Sequence, residues 1–252
     1  MTADIQMARE LATGAGEVLL QVRQSWKGSD PKELKNLGDR GAQEWLAAEL
    51  ARRVPGDAVL SEEAEDGRAR LTADRVWIID PLDGTREFSE PPRDDWAVHV
   101  ALWEQGDLTA GAVARPAAEV TYDSSPGHEL WTRSERPIRL AVSRSRPPAF
   151  LHALQEVLGA ELVPMGSAGV KTLSVVTGEC DAYVHAGGQY EWDSAAPVAV
   201  ARSRGLTVTR VDGSPMEYNR ESPWLPDLMV AHPDVVPALT EALQQVDLPD
   251  SP

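Results

Sequence analysis

Trp77-Ile78-Ile79-Asp80-Pro81-Leu82-Asp83-Gly84-Thr85 carries a fold signal and a chemical one in a single run. Val76 to Ile79 is apolar without alternation, which predicts a short strand buried on both faces. The strand stops at an acid, and a second acid follows three residues later with the Leu82 carbonyl between them. Two carboxylates at a strand end can converge on one point, and hard cations such as Mg²⁺ take such oxygen ligands. Gly84 and Thr85 stand where a helix can start, and there their N–H groups would face an anion. The same letters also spell an ordinary turn, since Asp-Pro and Asp-Gly are common turn dipeptides.

Outward from this run, the pattern before it is helical. Ile5, Ala8, Leu11, Ala12, Ala15, Val18, Leu19 and Val22 recur at helical spacing, which predicts a helix from Ile5 to Trp26. Lys27 to Leu37 reads as a polar link, with Asp30 to Gly38 a loop able to close over the site. A second helix is expected from Asp39 to Arg53, ended by Pro55-Gly56, and a short strand over Ala58 to Ser61. After the run, strands are expected over Trp96–Trp103, Thr109–Arg115, Glu119–Asp123 and Glu129–Arg133, separated by turn signals as in an antiparallel meander.

The rhythm changes near Arg136-Pro137, the expected boundary between an N-terminal half, 1–136, and a C-terminal half, 137–252. In the second half, strands at Ile138–Val142, Leu162–Pro164 and Asp181–His185 alternate with helices near Pro147–Leu158, Ala168–Thr177 and Ser194–Arg204. Such alternation reads as an α/β layer with crossovers. A strand at Leu228–Ala231, a helix over Pro233–Gln245 and a frayed tail after Val246 close the chain.

Composition limits the function. The 252 residues are 42% hydrophobic and 25% charged, an ordinary globular balance that excludes a disordered chain. No apolar run approaches the ~18 residues of a membrane span, and the N-terminus lacks the pattern of a signal peptide. A lone cysteine, Cys180, cannot form an internal disulfide, which fits a reducing cytoplasm. With 24 Lys and Arg against 40 Asp and Glu, the net charge of −16 argues against a nucleic-acid polymer or an anionic membrane as partner. A small anion would need local help from metal ions, N–H groups or an arginine cluster.

Two further acidic motifs flank the first. Glu62-Glu63 follows the strand at Ala58–Ser61, and Glu191-Trp192-Asp193-Ser194-Ala195-Ala196-Pro197 opens a small-residue helix. Taken singly, the first reads as a solvated loop and the second as a helix cap. Taken together, in this order and at these separations, the three motifs resemble the inositol monophosphatase-like superfamily of Mg²⁺-dependent, lithium-sensitive phosphatases. The resemblance covers essentially the whole chain. The continuation Arg86-Glu87-Phe88, the Gly166-Ser167 pair with Lys171 downstream, and His185-Ala186-Gly187-Gly188 are most similar to the CysQ-type 3′-phosphoadenosine 5′-phosphate phosphatases of actinobacteria.

The resemblance implies an α/β fold, a layered α-β-α-β-α sandwich of the sugar-phosphatase type. It implies a phosphatase that removes the 3′-phosphate of 3′-phosphoadenosine 5′-phosphate in sulfate assimilation, with inositol 1-phosphate or fructose 1,6-bisphosphate as the alternative substrates. By that analogy Glu62, Asp80 and the Leu82 carbonyl hold one Mg²⁺, and Asp80, Asp83 and Asp193 hold a second. A third, weaker ion would sit near Glu62 with Asp39 in its outer shell. Thr85 and Glu62 are expected to orient the attacking water, with Asp39 supporting Thr85. Asp83, Gly84, Thr85 and Asp193 are expected to meet the phosphate or its leaving oxygen. Ser167 and Lys171 are the expected nucleotide contacts, with His185 and Gln189 in the same cleft. The expected partner is a small phosphate ester, and homodimers are common among such relatives.

Overall fold

The computed structural model describes residues 1–249. Two helices open the chain, α1 (Ala3–Ser25) and α2 (Pro31–Arg53). A first sheet follows: β1 (Ala58–Ser61), β2 (Arg75–Asp83), the single helical turn α3 (Thr85–Phe88), then β3 (Ala97–Glu104), β4 (Asp107–Arg115) and β5 (Val120–Asp123). The second half contributes β6 (Arg139–Ser143), α4 (Ala149–Leu158), β7 (Glu161–Met165), α5 (Ala168–Val176), β8 (Ala182–Tyr190), α6 (Glu191–Ser203), β9 (Thr207–Thr209), β10 (Trp224–Ala231) and α7 (Val236–Leu243). The strands form two five-stranded sheets, ordered β1-β2-β3-β4-β5 and β7-β6-β8-β10-β9. No helix of the described residues is long and apolar enough to cross a membrane.

Period-2 alternation explains the stacking. In β2, Trp77 and Ile79 pack against Leu11, Leu19 and Leu46 of α1 and α2. Val76 and Ile78 point the other way, into a core shared with Val170 of α5 and Ala195 and Val198 of α6. The second sheet repeats the device: Ala141, Tyr183 and Val230 join that central core. Leu140, Val142 and Met229 face Phe150, Leu154 and Leu239 of α4 and α7 on the outside. The layers therefore run α1α2, sheet, α5α6, sheet, α4α7, the five-layer α/β sandwich that the motifs imply. β2 reads as continuously apolar because helices cover both of its faces.

Several sequence expectations need correction. α2 begins at Pro31, so Asp30 to Gly38 is helix and not a loop over the site. Asp30 accepts the Lys32 N–H and Pro31 sits in the first turn, a start signal that the polar composition obscures. Glu129–Arg133 forms no strand. Its partly buried side chains anchor an irregular crossing between the sheets: Trp131 donates to the Val175 carbonyl, and its ring lies 4.4 Å from that of His232, tilted by 47°. β8 and β10 are longer than expected, and the edge strand β9 went unread. The closing helix is split into a 3₁₀ turn, Pro233–Val235, and α7. In the tail, Leu248 packs on the outer core; the end of the expected frayed segment, 250–252, lies outside the described residues.

Candidate active site

Two carboxylates three residues apart on a regular strand point to opposite faces. Here the register slips. Asp80 pairs with His99 and Asp83 with Ala97, so three steps on β2 oppose two on β3. This bulge adds one residue and brings both acids to the same side. Pro81 has no N–H to offer the ladder and falls within the irregularity. Asp193, on the first turn of α6, arrives from the second half of the chain. One carboxylate oxygen from each of Asp80, Asp83 and Asp193 lies within 4.8 Å of the others.

Each of the three has one oxygen held by the protein. Asp80 Oδ1 accepts the Leu82 N–H at 2.9 Å. Asp193 Oδ2 accepts the Tyr190 N–H at 2.6 Å. Asp83 Oδ2 accepts the Gly169 N–H at 2.7 Å and the Ser167 hydroxyl, with His99 Nε2 at 3.2 Å. The second oxygen of each takes part in no hydrogen bond with the protein among the described residues. A carboxylate pinned through one oxygen presents the other in a fixed direction, the usual second layer of a metal ligand. His99 is completely buried, and its Nδ1 lies 3.1 Å from the Trp192 carbonyl, so it ties Asp83 to the start of α6.

The charges make the fit to a cation plain. Asp80 is buried, and both burial and the neighbouring acids Glu62, Asp83 and Asp193 raise its pKa well above the carboxylate range. Asp193 is raised to about 6, first by burial and then by Asp83. Glu62 reaches about 7 through desolvation and the charge of Asp193. Its side chain is solvent-exposed, so repulsion is the cause to weigh there. Asp83 goes the other way: burial pushes it up, but His99, Lys171 and Ser167 pull it well below the ordinary value. Acids that resist ionising together, with free oxygens converging, are a donor set suited to a hard divalent cation. Half-buried Asp39 is raised to about 7 by burial and by Glu63. No hydrogen bond joins it to Thr85 among the described residues.

Gly84 adopts φ +83°, and a Cβ there would lie 3.2 Å from the Asp95 carbonyl and Trp96 Cα. Only glycine suits this corner. The first N–H groups of a helical turn lack acceptors within it, and among the described residues no loop or cap bond uses those of Gly84 and Thr85. Beside the carboxylates, Asp193, Lys171, His185 and Gln189 line one cavity of about 240 Å³. Lys171 is buried, donates to the Ser167 carbonyl at 2.7 Å and lies 5.3 Å from the Tyr183 ring centroid. Ser167 instead turns its hydroxyl to Asp83. Of the arginines near the second half's first strand, Arg144 pairs with Glu87 and Glu90, while Arg146 lines the cavity.

Three further residues escaped the sequence reading: His99, Gly169 and Arg70. Fully buried Arg70 donates to Asp66, to Asn219 Oδ1 and to the Arg220 carbonyl. Glu191 accepts the Asn219 and Arg220 N–H groups at 2.7 and 2.9 Å. This network fixes the residue that opens α6, two before Asp193. A histidine inside the apolar strand Ala97-Val98-His99-Val100-Ala101 was the one legible signal, because buried polar side chains need a reason.

The profile of the inositol monophosphatase family matches residues 1–246. A 3′-phosphoadenosine 5′-phosphate phosphatase of Mycobacterium leprae is 46% identical over 96% of this chain and 94% of its own. One of Mycobacterium tuberculosis is 49% identical over 91% and 89%. Among solved structures, CysQ from Bacteroides thetaiotaomicron superposes with a TM-score of 0.77 at 27% identity, covering 91% of this chain and 97% of that one. Inositol monophosphatase II from Staphylococcus aureus gives 0.81 at 19% identity, covering 95% of each chain. With a family profile spanning nearly every residue and the converging acids where its motifs lie, the chain belongs to the inositol monophosphatase family.

Proposed function

We propose that the chain is a Mg²⁺-dependent phosphoric monoester hydrolase that converts 3′-phosphoadenosine 5′-phosphate to AMP and phosphate. One observation carries the chemistry: Asp80, Asp83 and Asp193 bring together oxygens from two halves of the chain, each acid pinned by a separate donor. The substrate follows from the phosphatases 46% and 49% identical to it. Asp80, Asp83, Asp193, Glu62 and the Leu82 carbonyl would hold two Mg²⁺ ions, with a third near Glu62 and Asp39. When bound, these ions supply positive charge to a dianionic ester and to the entering and leaving oxygens.

The chain's own groups do the rest. The Gly84 and Thr85 N–H groups bind phosphate oxygens. Thr85 and Glu62 orient the attacking water, and Glu62 takes its proton. Water oxygen bonds to phosphorus as the bond to the ribose 3′-oxygen breaks, and that oxygen leaves beside Asp193 and takes a proton from solvent. Ser167 acts through Asp83, whereas Lys171 brings a positive charge into the cavity. Incubation with 3′-phosphoadenosine 5′-phosphate and Mg²⁺, with products separated by chromatography, tests this reading. Equal amounts of AMP and phosphate, and none after EDTA, are expected; release of the 5′-phosphate, or turnover indifferent to EDTA, would overturn it.

A further inference from the structure

Asp95 stands in the loop between α3 and β3 and is only 5% exposed. No step of the hydrolysis uses its carboxylate. Its Oδ2 pairs with Arg93 and accepts the Gly166 N–H at 2.7 Å, a bond that joins the two halves of the chain. Gly166 leads into the turn that starts α5, and the next residue, Ser167, has φ +53° and ψ 134°. Residues with a side chain are uncommon at positive φ, and such a conformation persists only where its surroundings enforce it. This conformation is what turns the Ser167 hydroxyl to Asp83 Oδ2. The same hydroxyl accepts the Val170 N–H at 3.0 Å, and the Gly169 N–H reaches the same Asp83 oxygen. Lys171 also holds the Ser167 carbonyl, but it belongs to α5 and moves with the turn. Glu87 packs under Gly166, where a Cβ would overlap its side chain. A packing contact limits approach without fixing direction, whereas the bond from Gly166 to Asp95 does fix it.

Resting on the reading of the clustered acids as a divalent-cation site, we infer that Asp95 is a positioning residue: by holding the Gly166 N–H it keeps Ser167 at positive φ, and so sets the direction in which Asp83 presents its free oxygen. Asp95 touches neither cation nor substrate and acts through the turn at 166–169. Its own loop is braced, since the Arg93 carbonyl accepts from Arg23 Nη1 at 2.8 Å and from Trp96 Nε1 at 3.2 Å. The Asp95 carbonyl also packs on the Gly84 corner. One residue therefore touches the phosphate corner with its backbone and the Asp83 turn with its side chain.

Calorimetric titration of the EDTA-treated full chain with Mg²⁺ tests the role, on the wild type, Asp95→Ala, Asp95→Asn, Ser167→Ala and the double variant Asp95→Ala/Ser167→Ala. Asp95→Ala removes the acceptor for Gly166 and is expected to weaken Mg²⁺ binding about tenfold, the lower end for residues that hold a ligand in place. Asp95→Asn keeps an oxygen for the Gly166 N–H and is expected to bind Mg²⁺ as the wild type does. In the double variant the loss should be smaller than the product of the two single losses, because both act through one turn. Should Asp95→Ala fail to fold, Asp95→Glu decides the matter: it keeps the charge, carries the carboxylate one methylene past the Gly166 N–H, and should lose affinity as Asp95→Ala would. Wild-type affinity in Asp95→Ala or Asp95→Glu, equal losses in Asp95→Ala and Asp95→Asn, or single losses that multiply in the double variant would each overturn the inference. A wild type that binds no Mg²⁺ overturns the functional reading and this inference together, whereas a wild type that binds it, with variants that bind it as tightly, overturns this inference alone.

Discussion

Asp83 spends one oxygen on two protein donors, with His99 Nε2 at 3.2 Å, and keeps the other free. Asp83→Asn replaces the charge with an amide at unchanged volume and should lower turnover by more than the roughly 10–100-fold typical of residues that only orient a ligand. Phosphate release measured at saturating Mg²⁺ checks this, and wild-type rates would remove Asp83 from the proposed ligand set. His99→Leu keeps the bulk and removes the link to Asp83 and to the Trp192 carbonyl. A loss of about 10–100-fold in divalent-cation affinity is expected, read by calorimetry. Gly169 lies under the same histidine, and a Cβ on it would fall 2.1 Å from His99 Nε2. Gly169→Ala should therefore cost about 1–3 kcal/mol in urea denaturation, the usual range for overpacking. The acids were legible because they cluster in short motifs. His99 and Gly169 were not, since their partners lie far along the chain and one letter in a strand announces no partner.

At the scale of elements, the bulge in β2 converts a period-2 strand into a platform with two acids on one side. The spacing of Asp80 and Asp83 was visible in the sequence, but the slip in register that makes them converge depends on the pairing with β3. Burial of β2 on both faces was visible in its unbroken apolar run. The start of α2 was misplaced because its first turns are polar and exposed, and the apolar stripe begins only at Leu34. The stretch after Pro126-Gly127 reads as a strand because its partly buried side chains, Leu130, Trp131 and Arg133, are spaced by docking contacts and not by a ladder. Arg70, Glu191 and Asn219 form a knot between the first sheet's connection and α6. Arg70→Met removes a fully buried cation and leaves the Arg220 carbonyl without its donor. A destabilisation of about 3 kcal/mol or more is expected, since breaking a buried charged network costs about 3–5 kcal/mol. Thermal or urea unfolding measures it, and a change within about 0.5 kcal/mol, as for an ordinary surface site, would contradict the role given to this knot.

Over the whole molecule, two sheets from the two halves of the chain enclose α5 and α6, and the site forms where β2, α3, α5 and α6 meet. The layering followed from the motifs, whereas the contact between halves that delivers Asp193 to Asp83 is tertiary and has no local signature. Gathering acids there couples stability to pH. Asp39, Glu62 and Asp193 have folded-state pKa values of about 7, 7 and 6, above their ordinary ones. Between about pH 4 and 7 the folded chain thus binds more protons than the unfolded chain, and stability falls as pH rises. His185, held low by burial, opposes this, while Asp80 and His99, both raised, add to it. In EDTA the Tm should drop from pH 5 to 7.5, and the gain in Tm on adding Mg²⁺ should widen over the same interval as the ligands ionise. A metal-free Tm that rises across that interval would contradict the assignment.

The central claim is that this site hydrolyses a nucleotide bisphosphate. The most direct measurement is kcat/KM for phosphate release from 3′-phosphoadenosine 5′-phosphate, inositol 1-phosphate and fructose 1,6-bisphosphate in one Mg²⁺ buffer. A preference of about a hundredfold or more for the nucleotide is expected, roughly 2.7 kcal/mol of differential transition-state binding. Comparable values for all three would contradict it and leave a phosphatase that reads only the phosphate.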